Sequence, residues 1–313
     1  MKLRTVDGGS LSQMTLGTAQ LGLEYGIANQ GGKPTRKKAV EILDTAVGGG
    51  VVSFDTASAY GDSEEILGAY FTARVPAGQY PFITTKFMVE ASEDTSRQGI
   101  ERQIRSAAEA SLRKLGLQKI PVFMLHRVED MTRYGSAVSD TLIKLKGENL
   151  IGRAGVSVYT VTEVEEMLRH GVYQTVQLPM NLFDLRMLRS GILDRLQEAG
   201  CLVFVRSVFL QGLFFLDPAT LPPQLDFTAI LLKQLNRLAQ DAGLSIARLA
   251  VAYIRDLPGV TSLVLGAETP RQVEENIRIM NQSGLNRQTT EYIEAFSEKV
   301  PIDKIMRALL NRK

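Results

Sequence analysis

The chain has 313 residues, 44% hydrophobic and 22% charged, with 36 basic against 34 acidic side chains and a net charge of +2. That is a soluble globular composition, long enough to bury a large core. The balance contains no long like-charged run, which removes the electrostatic footprint of a nucleic-acid binder. No apolar stretch reaches the roughly 18 residues of a membrane span, and Met1-Lys2-Leu3-Arg4-Thr5-Val6-Asp7 lacks a secretory apolar segment. The single cysteine, Cys201, excludes intramolecular disulfides, and two histidines, His126 and His170, are too few for a multi-histidine metal site. A cytoplasmic, metal-free chain is expected, with no nucleic-acid or membrane partner and at most weak self-association.

In chain order, residues 2–12 read as a hairpin turning at Asp7-Gly8-Gly9, placed before the main fold as a cap on its bottom. Eight short uninterrupted β-rich runs follow, as in strands buried on both faces. They begin near Met14, Val51, Phe82, Pro121, Ala154, Thr175, Leu202 and Ser262. Helix-period segments lie between them, over 35–48, 62–73, 97–115, 136–147, 160–169, 187–198, 228–257 (broken near Gly243) and 270–281. Gly48-Gly49-Gly50 suits the end of the first, because glycine accepts the left-handed conformation. Asp62 or Ser63 suits the start of the second, and Thr160 or Thr162 the start of the fifth. Extra helices are expected over 288–310. Eight strand–helix repeats in about 250 residues predict a (β/α)8 TIM barrel, one α/β domain over 1–313. The rival open doubly wound sheet carries G-x-G-x-x-G after its first strand; Gly17-Thr18-Ala19-Gln20-Leu21-Gly22 does not match it.

In such a barrel the site lies at the C-terminal ends of the strands. The second run ends in Phe54-Asp55-Thr56-Ala57-Ser58-Ala59-Tyr60-Gly61, the third in Thr84-Thr85-Lys86-Phe87 and the fourth in Met124-Leu125-His126-Arg127. Asp55, Tyr60, Lys86 and His126 thus share one rim. A phenol is a weak acid at neutral pH, and a neighbouring ammonium favours its ionised form. A carboxylate keeps that ammonium charged, and a histidine can donate to a substrate oxygen. Together these are the parts of a proton-donating site for carbonyl reduction. No side chain supplies hydride, so a nicotinamide cofactor is implied. His170, ahead of Gly171 at a helix end, and Cys201, at a strand start, read as structural.

The ordered set Asp55, Tyr60, Lys86 and His126 resembles the aldo-keto reductases. The resemblance continues through Gly155-Val156-Ser157, Gln177-Leu178-Pro179-Met180-Asn181-Leu182, Gln211-Gly212-Leu213 and Gly266-Ala267-Glu268-Thr269-Pro270 to Glu275-Asn276. It covers nearly the whole chain. It implies a barrel that binds NAD(P)(H) and transfers hydride to or from an aldehyde, ketone or sugar-like alcohol. Tyr60 would be the general acid, Lys86 its activator, Asp55 the partner of Lys86, and His126 the group that orients the carbonyl. Ser157 and Gln177 would hold the carboxamide. Gly17, Thr18, Asp55, Arg206, Ser207, Val208, Phe209, Gln211 and Gly212 would meet the nicotinamide and pyrophosphate. Gly266, Ala267, Glu268, Gln272, Glu275 and Asn276 would surround the adenosine end. Tyr25, Phe87 and Arg127 are the candidate substrate contacts.

Three departures stand out. Val158 replaces an asparagine common in relatives, Arg206 stands where many place an aromatic ring on the nicotinamide, and Glu268 and Gln272 occupy a stretch that often carries arginine or lysine. The family favours NADP(H), so NADP(H) is the expected cofactor, with NAD(H) as the alternative that Glu268 suggests. The rival to an enzyme is a regulatory or sensor subunit resembling channel β-subunits, which holds the cofactor with little turnover.

Overall fold

The computed structural model describes residues 1–75, 80–90 and 96–310. Ten strands are present among them: β1 (Leu3–Val6), β2 (Gly9–Ser12), β3 (Met14–Gly17), β4 (Ser53–Asp55), β5 (Phe82–Phe87), β6 (Ile120–Leu125), β7 (Ile151–Ser157), β8 (Tyr173–Pro179), β9 (Leu202–Arg206) and β10 (Ser262–Gly266). β3 to β10 close into a barrel in the order β10-β3-β4-β5-β6-β7-β8-β9, every pair parallel. This is the (β/α)8 barrel that the alternation of runs predicts. The second strand starts at Ser53 rather than near Val51.

β1 and β2 form the expected hairpin, paired Val6 to Gly9. Asp7 and Gly8 both take positive φ, 49° and 83°, so the loop has the twist that favours two-residue hairpins. Arg153, low on β7, donates to both carboxylate oxygens of Asp7 at 2.5 and 3.0 Å and holds that carboxyl below its usual range. Val6 and Leu11 of the hairpin pack with Phe82, Val122, Met124, Leu202 and Phe204. The hairpin therefore plugs the barrel bottom with hydrocarbon. Around β2–β4 and β10 the interior is hydroxylic instead: Ser12, Thr15, Ser53 and Ser262 bond to one another at 2.7 to 2.9 Å.

The interior set fixes which way every strand faces, because side chains alternate with period two. Phe82 faces inward, so Thr84 and Lys86 do too, and Ile83, Thr85 and Phe87 face the helices. Val122 and Met124 carry the inward face of β6 to the position of His126. Leu202 and Phe204 carry that of β9 to Arg206. The upper barrel mouth is thus floored by Asp55, Lys86, Gln177 and Arg206.

Most helices fall within two residues of expectation. Thr35, Ser96, Thr160, Ser245, Thr269 and Asn286 each cap the helix that follows with a side-chain oxygen, Thr160 in a full capping box with Glu163. The segment 228–257 divides as expected into Ala229–Asp241 and Ile246–Arg255, and 288–310 into Arg287–Ser297 and Ile302–Leu310. The segment 187–198 also divides, into Arg186–Arg189 and Ile192–Glu198, at Gly191 with φ of 69°. Asp62 precedes Ser63–Arg74 without making a cap bond, because its carboxylate pairs with Lys33. Short helices at Ala19–Gly22 and Glu129–Tyr134, and 3-10 turns at Leu210–Phe215 and Pro223–Thr228, lie in stretches without an amphipathic pattern long enough to announce them.

Candidate active site

The loop after β4 carries Tyr60 and is tied down by its own backbone. Thr56 N–H donates to Thr84 O at 2.8 Å and Ser58 N–H to Lys86 O at 3.0 Å. On its β3 side, the Thr18 hydroxyl donates to Asp55 O at 2.8 Å and Ser63 reaches Thr18 Oγ1 at 2.7 Å. Gly22 packs directly on this loop: a Cβ at that position would stand 1.7 Å from the Tyr60 carbonyl oxygen. Only glycine permits that approach.

Lys86 is 1% exposed. Its Nζ donates to Asp55 Oδ1 and Oδ2, both at 2.7 Å, and to Thr56 O at 2.9 Å. Those contacts tie the ammonium to the Asp55 carboxylate and to the backbone of the Tyr60 loop. Gln177 Nε2 donates to Asp55 Oδ1 at 2.7 Å, which fixes the carboxylate from β8. Burial by itself presses Lys86 toward the neutral amine, but the charge of Asp55, then Tyr60, and their hydrogen bonds outweigh it and hold the amine above its ordinary range. Lys86 Nζ lies 5.0 Å from the centre of the Tyr60 ring. The His126 ring meets Tyr60 edge-on, with centroids 5.7 Å apart and planes at 87°. The four residues expected on one rim are therefore brought together.

His126 is pushed down to about 4, first by burial and then by repulsion from Lys86, Arg206 and Arg127. It is a neutral imidazole at neutral pH. Its Nδ1 is buried with no partner, which disfavours a proton there and leaves Nε2–H as the nitrogen that can donate to a ligand.

Beside these residues lies a cavity of about 1030 Å³, walled by Asp55, Tyr60, Gln177, residues 206–209, 211–212 and 264–268, and Gln272, Glu275 and Asn276. Of the residues assigned to the cofactor, only Thr18 and Ser157 are not in the wall. Thr18 is spent on the Asp55 carbonyl beneath it, and Ser157 sits inside the mouth, in register with Gln177. In the loop after β9, Ser207, Leu210, Gln211 and Gly212 have φ of 60°, 49°, 57° and 95°. Non-glycine residues rarely hold such angles, and the turn is closed by Leu210 N–H on Ser207 O at 2.8 Å and Gly212 N–H on Phe209 O at 2.9 Å. A cavity of this volume, with Tyr60 in its wall and residues after both β9 and β10 lining it, has room for a dinucleotide.

The substrate candidates fare unevenly. Tyr25 lines the cavity and senses Tyr60, Arg206 and Tyr159 electrostatically. Phe87 does not belong to the site: next to inward-facing Lys86 it must face outward, and it stacks on Phe123 at 4.3 Å in the strand–helix core. Arg127 is turned away too, bonded to Asp130 and Val89 O. Several wall residues had no sequence signal. Residues 26–30 cross to the β9 loop, where Ile27 N–H donates to Gln211 O at 2.9 Å, and Asp217, Pro218, Asn236, Ala239, Gln240 and residues 244–247 extend the wall beyond them.

Residues 13–298 match the Aldo/keto reductase family. The chain belongs to this family. It is similar to L-glyceraldehyde 3-phosphate reductase of Escherichia coli K12, 27% identical over 77% of this chain and 78% of that one. It is also similar to the NADH-specific methylglyoxal reductase of the same strain, 26% identical over 87% and 90%. Among solved folds, an aldo-keto reductase from Bacillus halodurans superposes with a TM-score of 0.73 at 21% identity, covering 95% of this chain and 96% of that one. As an aldo/keto reductase this protein is an NAD(P)-dependent oxidoreductase acting on carbonyl or alcohol substrates. Among the described residues no helix is long and apolar enough to cross a membrane.

The electrostatics give a direct test. In a 15N-resolved NMR titration, the His126 ring is expected to stay neutral from pH 8 down to pH 5 and to protonate only near the value of about 4. Because the folded ring resists a proton that the unfolded ring accepts near 6.5, this residue contributes stability fully above pH 6.5, and that stability is lost as pH falls toward 4. Protonation above pH 6 would contradict the assignment.

Proposed function

We propose that this aldo/keto reductase uses Tyr60 as its general acid and base, and that it takes NAD(H). The first reading rests on one arrangement: the Tyr60 ring lies 5.0 Å from an ammonium that Asp55 holds charged inside the barrel, with neutral His126 against its other side. The nicotinamide, when bound, supplies the hydride. Gln177, Asp55, Ser207, Val208, Phe209, Gln211 and Gly212 would hold that end of the cofactor, while the Arg206 guanidinium turns from it to Val158 O and the Tyr159 ring; Gly266, Ala267, Glu268, Gln272, Glu275 and Asn276 would hold the adenosine. His126 Nε2–H donates to the carbonyl oxygen and orients it. Tyr60 gives that oxygen its proton. The positive charge of Lys86 stabilises the phenolate that remains, and Asp55 keeps Lys86 in place while it does so. In the reverse direction the same phenolate accepts the alcohol proton.

The nucleotide reading departs from the family's preference for NADP(H). Glu268 and Glu275 both line the adenosine end of the cavity, and among the described lining residues the sole cation is Arg206, whose guanidinium turns toward Val158 at the end of β7. Burial pushes Glu268 up, while Lys38 nearby draws it down. A 2′-phosphate would meet carboxylates there without an arginine or lysine in the wall, whereas a carboxylate can accept from ribose hydroxyls. The NADH-specific relative is in keeping with this reading.

Tyr60→Phe is expected to keep cofactor affinity within about threefold and to lose at least about a hundredfold in turnover; a loss under threefold, on every carbonyl the parent reduces, would refute the acid's identity. In parallel fluorescence titrations of the wild-type protein, NADH is expected to bind at least tenfold tighter than NADPH. Equal or tighter binding of NADPH would overturn the nucleotide assignment.

A further inference from the structure

Arg206 is unlike the other cations of the mouth. Lys86 is neutralised by Asp55, and Arg127 is paired with Asp130. Arg206 forms no ion pair among the described residues. Its hydrogen bonds run to uncharged oxygens, Nη2 to Val158 O at 3.1 Å and Nη1 to Ser207 Oγ at 3.3 Å, and its guanidinium lies 4.4 Å over the Tyr159 ring. It nevertheless lines the cavity and is half-buried. A partly desolvated guanidinium with no counter-charge is costly, and two contacts leave donors of its five unused.

The direction of the side chain matters as much as its charge. β9 lies between β8 and β10 in the barrel, and the adenosine end of the cavity is built after β10. Arg206 turns the opposite way, across β8, to Val158 and Tyr159 at the end of β7. This places the charge on the side of the mouth where Tyr25, Tyr60 and His126 lie. Of the other carboxylates of the cavity wall, Asp55 is bound by Lys86 and Gln177, Asp217 is exposed and accepts from Ala219 N–H, Glu268 and Glu275 line the adenosine end, and none forms an ion pair with Arg206 among the described residues. The field at His126 has the same sign: after burial, the charges of Lys86, Arg206 and Arg127 push it down.

We propose that the substrate of this site carries an oxyanion, a carboxylate or a phosphate, close to its reacting carbonyl, and that Arg206 receives it. This rests on the reading of Tyr60 and His126 as the groups that address the carbonyl. The redox step is unaltered: the carbonyl carbon gains a hydride from NADH, the oxygen gains a proton through Tyr60, and NADH leaves as NAD+. The oxyanion sets orientation. It accepts from the planar guanidinium fork, and it compensates a charge that a neutral carbonyl compound would leave unpaired.

The test compares size-matched pairs in wild type and in Arg206→Met: glycolaldehyde phosphate against glycolaldehyde, and succinate semialdehyde against butanal. At least one anionic member is expected to exceed its neutral partner tenfold or more in kcat/KM, through KM. That advantage should shrink as ionic strength rises and fall below threefold in Arg206→Met, with partial retention in Arg206→Lys. The pair that shows it tells phosphate from carboxylate. Calorimetric binding of the unreactive anions 2-phosphoglycolate and succinate is measured alongside and does not depend on turnover; binding by wild type that weakens at least tenfold in Arg206→Met supports the proposal. Equal kcat/KM within both pairs, or anion binding indifferent to Arg206→Met, overturns it. If binding depends on Arg206 while Tyr60→Phe reduces the same aldehydes within threefold of wild type, the anion site stands and the reading of Tyr60 as the acid is what fails.

Discussion

A lysine ammonium buried inside a β-barrel is the constraint around which the rest of the site is arranged. Removing such a charge from water costs several kcal/mol even after relaxation. The cost is met here by two carboxylate contacts at 2.7 Å and one carbonyl contact at 2.9 Å. Asp55 in turn has Gln177 as a second donor. Lys86 is held from two directions, by the carboxylate and by the Thr56 carbonyl, so the pair is rigid as well as charged. That rigidity gives Tyr60 a positive charge at a fixed position, which a solvated lysine would not.

The barrel makes this placement possible. Hydrocarbon from the hairpin and the lower strands fills the bottom, and hydroxyls fill the part near β3 and β4. The polar layer above them is reached by strict alternation along each strand, so Lys86, Gln177 and Arg206 share one interior surface although they are far apart in sequence. The same alternation accounts for the neutrality of His126: it is half-enclosed and surrounded by cations, so it serves as a hydrogen-bond donor and not as a charge. A neutral donor and a positive field suit an oxygen that gains electron density.

Much of this was legible in the sequence, for identifiable reasons. Buried parallel strands appear as uninterrupted apolar runs, and a polar residue ending such a run marks the mouth. Asp55, Lys86 and His126 were found that way, and Tyr60 by its place in the loop that follows. Phe87 shows the limit of position alone. It adjoins Lys86, and a period of two sends neighbours to opposite faces. Arg127 fails for a related reason, since a local carboxylate three residues on captured it. Beyond Tyr25, the crossing segment at residues 26–30 gave no signal because its partner, Gln211, is nearly two hundred residues distant. The role of Thr18 was likewise hidden: its bond to the Asp55 carbonyl depends on the register of β3 against β4.

The most direct test removes the charge pair without stranding either member. In the double variant Asp55→Asn/Lys86→Met no unpaired charge is left inside, so the protein is expected to fold and to bind dinucleotide within about tenfold of the parent. Steady-state turnover at saturating cofactor should then fall at least about a hundredfold. A folded, cofactor-binding double variant that turns over within threefold of the parent would contradict the account.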